Sequence, residues 1–133
     1  MNKLDKDSVI GISALLIHAA NIDEIYSDHE KDLIKDFIKS YLKDDDVNEI
    51  LNKAEKIENN SNQLLNYTNI IKKNSMDIKK DIIEHLWKII ISDNTVDQYE
   101  SNLMRRICGL IYLEDKVCAE IKLKLINKKW PIS

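Results

Sequence analysis

The sequence predicts an all-α fold, a single-domain bundle of about seven helices. The chain has 133 residues, of which 44% are hydrophobic and 32% charged, the balance of one globular domain. It contains only two glycines and one proline, too few for the tight turns of a fold with many short strands. Apolar residues recur at helical spacing along almost the whole chain. No stretch alternates with a period of two for long enough to indicate a strand.

Four helices are expected in the first half of the chain. The first, from Asp5 to Ile22, is apolar on nearly every side and should be buried at the centre of the bundle. The second begins at Ser27, and the third follows an acidic first turn at 44–46. The polar residues 59–61 are expected to form a loop before the fourth helix. The apolar stripes of these four helices lie at residues 9–20, 33–41, 47–57 and 64–71.

Three further helices are expected in the second half. The fifth follows a break at Asn74-Ser75 and is again apolar on most sides, like the first. Residues 128–133 form a tail too short for a core of its own, so Trp130 should fold back onto the bundle. The predicted spans of the fifth, sixth and seventh helices are Asp77 to about Ile91, Asp97 to about Ile111, and about Glu114 to Asn127.

Charge and composition exclude several classes of protein. A formal net charge of −3 and an isoelectric point near 5.6 argue against a nucleic-acid-binding surface. No apolar run approaches the ~18 residues of a membrane-spanning helix, and the first residues lack the apolar stretch of a signal peptide. Cys108 and Cys118 sit among apolar residues and should be buried thiols. We therefore expect a protein of the reducing cytoplasm.

An internal repeat carries the functional prediction. When the sequence is aligned with itself at an offset of 70 residues, Asp23 aligns with Asp93 and Glu30 with Glu100. The apolar stripes on both sides of these acids align as well. Agreement of acids, helix caps and stripes at one offset predicts two related helical hairpins, at about 5–43 and 75–112, around an approximate two-fold axis.

The two glutamates have a local explanation. Ser27 with Glu30, and Asp97 with Glu100, fit the capping box, in which the first side chain accepts the amide hydrogen of the glutamate and the glutamate accepts that of the first residue. A carboxylate also suits the positive end of the helix dipole. Capping alone would therefore account for both glutamates without a metal.

The two aspartates before these caps are harder to explain locally. Asp23 and Asp93 end apolar helices, where the helix dipole disfavours an anion. Hydrogen bonds that close the turn are the favoured explanation, and a shared cation is the alternative. Oxygen ligands alone would select Ca²⁺, Mg²⁺ or Mn²⁺. The two candidate ligand sets are Asp23, Asp28 and Glu30 in the first copy, and Asp93, Asp97 and Glu100 in the second.

These residues resemble the TerB-like family, the helical domains of the tellurite-resistance protein B group. The signature of that family is a doubled A-x-x-D-G-x-Φ-x-x-x-E, in which Φ is apolar, and the copies here are ANIDEIYSDHE at 20–30 and IISDNTVDQYE at 90–100. The similarity spans about 12–124. It implies a bundle of seven or eight helices, an association with resistance to tellurite and other stresses, and a protein partner.

The two copies depart from the signature differently. The glycine after the aspartate is Glu24 in the first copy and Asn94 in the second. Asparagine adopts the left-handed conformation of such a turn more readily than glutamate does. A cation site is therefore favoured in the second copy.

Isolated polar residues complete the set of candidates. Among the 20 basic residues, only Arg105 and Arg106 are arginines. A guanidinium can bind a carboxylate through two parallel hydrogen bonds, which a lysine ammonium cannot do. We expect one of them to pair with Glu84, which lies in an apolar helix. His18 is expected in the core or at its rim, and His85 is expected at a packing edge.

Three functions remain in competition. The first is a non-enzymatic binding module whose acidic turns, loaded with a divalent cation, dock a protein partner or a second copy of the chain. The second is a structural helical interaction domain without metal. The third is a hydrolase that uses Glu30 and Glu100, which we disfavour because a small bundle offers no evident cleft to shift carboxylate pKa values. We expect no catalytic residue and no cofactor beyond such a cation.

Overall fold

The part of the chain that the structure describes forms seven α-helices, which confirms the predicted all-α class. The computed structural model describes residues 4–21, 27–43, 46–60, 64–91 and 98–129, with the side chains of residues 60, 64–66, 98–100 and 127–129 left out. None of these described residues lies in a strand. The helices are α1 (Lys6–Ala20), α2 (Asp28–Tyr41), α3 (Val47–Asn60), α4 (Leu64–Lys72), α5 (Met76–Ile91), α6 (Gln98–Leu110) and α7 (Asp115–Lys129). The predicted position of Trp130 lies outside the described residues.

Helix α1 is the centre of the bundle, as its sequence predicts. It packs against α2, α3, α4 and α5, and 11 of its 15 residues are buried. Ile12, Leu15 and Leu16 are completely inaccessible to solvent. Because the helix is surrounded on every side, it needs apolar residues on every side rather than on one stripe.

Residues from all seven helices share one hydrophobic core. Helix α5, the counterpart of α1 in the sequence repeat, contacts α1, α2 and α7, and nine of its residues are buried. The first helices of the two repeats therefore pack against each other. One buried residue from each helix in chain order is Val9, Ile34, Ile50, Ile71, Ile82, Met104 and Cys118.

A glycine allows α4 to approach α1 closely. At Gly11, an added Cβ would lie 2.5 Å from the Cδ1 atom of Ile70 on α4. Any larger residue would push the Ile70 side chain aside, because carbon atoms in contact are normally ~3.5–4.0 Å apart. The absence of a side chain at Gly11 thus leaves room for the end of the Ile70 side chain between α1 and α4.

Polar side chains cap the helices where the sequence indicates. Asp5 accepts a hydrogen bond from the amide of Ser8 at 2.7 Å. The Ser8 side chain, and after it this amide, lower the pKa of the Asp5 carboxyl. Asp46 accepts from the amide of Asn48 at 3.0 Å, before α3. The predicted capping aspartates 44–45 lie outside the described residues.

The end of α3 differs from the prediction in two respects. The helix includes Asn59 and Asn60, which the sequence placed in a loop. Ile57, predicted to continue the buried stripe, is 39% exposed, whereas Glu58 is only 7% exposed. The inward positions 51, 54 and 58 are spaced by three and four residues, so the helical period turns Glu58 rather than Ile57 toward the core.

Candidate functional site

The first acidic turn contains the predicted capping box. The Ser27 amide donates to Oε1 of Glu30 at 2.8 Å, and the Glu30 amide donates to Oγ of Ser27 at 3.2 Å. Glu30 is 7% exposed, while Asp28 beside it is exposed to solvent. Helix-end amides and the dipole thus hold a buried carboxylate in a fixed orientation at the start of α2.

The other predicted site residues are not placed by the structure. Asp23, Asp93 and Asp97 lie outside the described residues, and Glu100 is in α6 with its side chain outside the description. The structure therefore does not test whether either set of three acids converges. The second capping box, Asp97 with Glu100, stays a prediction for the same reason.

A second buried carboxylate lies at the end of α1. Oε2 of Glu58 accepts from the Asn21 side-chain amide at 3.3 Å, and Oε1 lies 3.4 Å from Nδ1 of His18. Asn21 directly precedes residues 22–26, the connection that leads to the capping box of α2. Since a buried carboxylate is stable only with partners, His18 and Asn21 explain how Glu58 is tolerated there.

Sequence reasoning missed Glu58 although a signal was present. The residue occupies an inward position of the α3 stripe. His18 is a polar residue within α1, the most apolar helix. Two polar residues on otherwise apolar faces are natural partners for each other. Assignment of Glu58 to the polar stretch before the predicted loop concealed that pairing.

The side-chain oxygen atoms near this end of α1 meet only part of what a hard cation needs as ligands. Carboxylate and amide oxygens are the ligands that Ca²⁺, Mg²⁺ and Mn²⁺ prefer. Within the part of the chain that the structure describes, no three His, Cys, Asp or Glu side chains are grouped closely enough to hold a metal ion. Glu30 also already accepts one backbone hydrogen bond. A cation at the first turn would therefore require ligands from residues 22–26.

A separate polar network joins α2 to α5. The Tyr41 hydroxyl donates to Oδ2 of Asp81 at 2.6 Å, and Nδ1 of His85 lies 2.8 Å from the backbone carbonyl oxygen of Asp81. Burial, together with the neighbouring carboxylate, raises the pKa of Tyr41 well above its usual range. The His85 ring packs edge-on against Phe37, which confirms its predicted position at a packing edge.

The predicted pairing of an arginine with Glu84 is wrong. Arg105 and Arg106 are both exposed, Glu84 is half-buried, and no ion pair joins these described side chains. The buried stripe of α6 runs through Met104, Ile107 and Cys108. Positions 105 and 106 therefore fall on the outer side of the helix. Arg105 instead lines a cavity beside α7.

Most of the chain matches a known protein family. A family model described as Tellurite resistance protein TerB matches residues 10–123, more than four-fifths of the chain. The chain belongs to the TerB family. Both acidic turns, at 23–30 and 93–100, lie within the matched segment. No protein of curated function and no solved structure matches the chain.

Membership of the TerB family agrees with the all-helical architecture. The resemblance inferred from the doubled acidic motif is thereby confirmed. No helix in the described ranges is both long and apolar enough to cross a bilayer.

Proposed function

We propose that this TerB-family protein is a non-enzymatic helical module that binds a divalent cation at its acidic turns and docks a protein partner. The observation that carries the proposal is the position of both acidic turns inside the segment that matches the family of tellurite-resistance proteins. In this role the bundle is a rigid support, and the two turns are its binding elements.

The first turn has features that suit a cation-dependent module. Its glutamate is held by the capping box, so that binding would not require ordering a flexible side chain. The buried Glu58 adds negative charge near the end of α1. Exposed Asp28 would supply an oxygen from the solvent side. These are hard ligands, which favour Ca²⁺, Mg²⁺ or Mn²⁺ over a soft metal.

The proposed setting is the cytoplasm, and the proposed partner is a protein. Both cysteines are free thiols in the structure, as the reducing cytoplasm would keep them. The net charge of −3 favours a partner with a basic contact surface over a nucleic acid. A second copy of the chain is an alternative partner.

The capping box favours one alternative, a structural interaction domain that binds no metal. Hydrogen bonds at the start of α2 already account for the position of Glu30. If the same holds at the second turn, the acids would serve only to close the hairpins. The two functions differ in whether the folded protein binds a cation.

Thermal unfolding of chelator-treated protein separates the two functions. A cation that binds only the folded state should raise the melting temperature as the cation concentration increases. At a concentration of 100 Kd, the gain in the free energy of unfolding is about 2.7 kcal/mol. Asp93→Asn should suppress the rise more than Asp23→Asn does. Glu30→Gln should also suppress the part of the rise that comes from the first turn, because glutamine preserves the capping box while the charge of the ligand is removed. No rise with Ca²⁺, Mg²⁺ or Mn²⁺ would establish the metal-free alternative.

A further inference from the structure

The two cysteines meet where α6 packs against α7. Cys108 lies near the end of α6 and Cys118 in the first turn of α7, and both are buried, with exposed fractions of 0% and 5%. The connection between these helices is held by a hydrogen bond of 2.9 Å from the Leu113 amide to the Cys108 carbonyl oxygen. This bond ties the chain that leads into α7 back to the residue that carries the first thiol.

The two thiols differ in their acidity. Interaction with the Cys118 side chain, together with burial, raises the pKa of the Cys108 thiol well above its usual range. Interaction with the Cys108 side chain lowers the pKa of Cys118, against the effect of its burial. Cys118 is therefore the thiol that more readily becomes a thiolate, the nucleophilic form.

Cys118 faces an open cavity. The cavity has a volume of about 270 Å³, and its wall includes Cys118, Trp87, Arg105, Asp115 and Lys122. Nζ of Lys122 lies 5.1 Å from the centre of the Trp87 ring. The carboxylate of Asp115 raises the pKa of the Cys118 thiol, and Lys122 lowers it to a smaller extent. Arg105 and Lys122 offer N–H donors to an oxygen-bearing reactant in this cavity. Cys118 lines this cavity and is 5% exposed, whereas Cys108 is completely buried.

The wall also carries a polar atom without a partner. The Trp87 indole N–H is buried and has no hydrogen-bond partner in the described part of the chain. It lies close enough to Cys118 to lower the pKa of that thiol, yet it does not form a hydrogen bond of ordinary geometry there. Because an unpaired buried donor is unfavourable, an oxygen atom attached to the Cys118 sulfur would gain a donor that the reduced protein leaves unused.

We propose that Cys118 is a site of oxidation by a small hydroperoxide and that Cys108 converts the product into a disulfide between α6 and α7. The site is independent of the acidic turns, so it does not depend on the proposed cation-binding function. Three observations carry it: two buried cysteines where α6 packs against α7, the cavity that opens on one of them, and the unpaired indole N–H beside it.

The chemistry proceeds in two balanced steps. The Cys118 thiolate attacks one peroxide oxygen, a sulfur–oxygen bond forms, the oxygen–oxygen bond breaks, and the departing alkoxide or hydroxide takes up a proton. The sulfur is oxidised by two electrons and the peroxide is reduced. The Cys108 thiol then attacks the sulfenic sulfur, the disulfide forms, and hydroxide leaves with the Cys108 proton as water.

Hydrogen peroxide and intact-mass measurement on the folded full-length chain test the proposal. Since the chain has only two cysteines, an internal disulfide lowers the mass by two hydrogens and removes both reactive thiols. A thiol reductant should restore both. Before oxidation, a thiol-alkylating agent should modify Cys118 on the order of tenfold faster than Cys108, because the thiolate is the reactive form.

Single variants identify the role of each thiol. In Cys108→Ser the sulfenic acid on Cys118 should persist and be trapped by dimedone, whereas Cys118→Ser should not react. Trp87→Phe in the Cys108→Ser background keeps a ring but removes the N–H, and should shorten the lifetime of the sulfenic acid. Circular dichroism checks that each variant is folded.

Three results would overturn the proposal. The first is a folded wild-type chain that keeps both thiols under conditions that oxidise the urea-unfolded chain. The second is equal oxidation of Cys118→Ser and Cys108→Ser. The third is a wild-type product consisting of chains linked to each other rather than of an internal disulfide. None of these results depends on cation binding, so failure here would leave the proposed function standing.

Discussion

At the residue scale, Tyr41 shows how one hydrogen bond can join two helices. Its hydroxyl is 2.6 Å from Oδ2 of Asp81, a short bond to a charged acceptor. We expect Tyr41→Phe to lower the free energy of unfolding by about 1 kcal/mol near neutral pH, because the half-exposed carboxylate can regain water in the variant. Urea unfolding measures this loss. Tyr112→Phe, which alters a ring that is 70% exposed, is the matched control.

The same hydrogen bond predicts a pH dependence. Because the folded state raises the pKa of Tyr41, the unfolded chain ionises first as the pH rises. The stability that Tyr41 contributes is fully present below its unfolded pKa of about 10 and is lost above it. The difference in unfolding free energy between wild type and Tyr41→Phe should therefore shrink above pH 10. A constant difference up to pH 11 would contradict this assignment.

Individual residues were predicted well where the cause is local. The Ser27–Glu30 capping box was predictable because both partners lie within one turn of helix. Glu58 was not, because its partners His18 and Asn21 are 40 and 37 residues away in sequence. The arginine pair failed for a related reason, since scarcity of arginine does not indicate which side of a helix it occupies.

At the element scale, the turn between α6 and α7 contains the only described non-glycine residue with a positive φ. Tyr112 has a φ of 61°, and the amides of Leu113 and Tyr112 bond to the carbonyl oxygens of Cys108 and Gly109 at 2.9 and 3.3 Å. This is the Schellman motif, which usually places glycine at the left-handed position. The ring lies under Nζ of Lys72, 5.1 Å from its centre. The sequence contains no glycine there to mark the turn.

The left-handed turn predicts an unusual order of stabilities. Tyr112→Gly and Tyr112→Ala both remove the ring and its contact with Lys72, so their difference isolates the backbone. We expect the glycine variant to be more stable than the alanine variant by about 1 kcal/mol, the reverse of their order within a helix. Paired urea titrations measure the difference. Alanine equal to or better than glycine would show that this φ is not maintained in solution.

Helix boundaries were predictable to within one or two residues at most ends. α2 begins directly after Ser27 and α5 ends at Ile91, as their caps and stripes indicate. The end of α3 was the main error, because asparagines are typical of loops yet here continue a helix. Glu58 within this last stretch packs against α1, so tertiary contact outweighed local preference.

At the scale of the whole molecule, the repeat and the core predict different unfolding behaviour. The sequence shows two similar halves, which could unfold separately. In the structure, however, α1 and α5 pack against each other and all seven helices contribute to one core. A shared core should make the transition cooperative, as in most domains of this size. The relation of the halves by a two-fold axis stays a prediction, since neither turn is fully described.

Cooperative unfolding can be measured by comparing a probe in the second half of the chain with one that reports all the helices. In a Trp130→Phe background, Trp87 in α5 is the only fluorophore of its type, and its unfolding curve should coincide with that of far-UV circular dichroism. Leu16→Ala in α1 should lower the free energy of unfolding by about 2–5 kcal/mol and shift both curves equally, because Leu16 is fully buried. Leu123→Ala is the matched control, since Leu123 is 57% exposed and its loss should change stability by no more than about 0.5 kcal/mol. If Leu16→Ala shifted only the circular dichroism curve, the halves would be separate folding units, and the repeat rather than the core would define the stable part of the molecule.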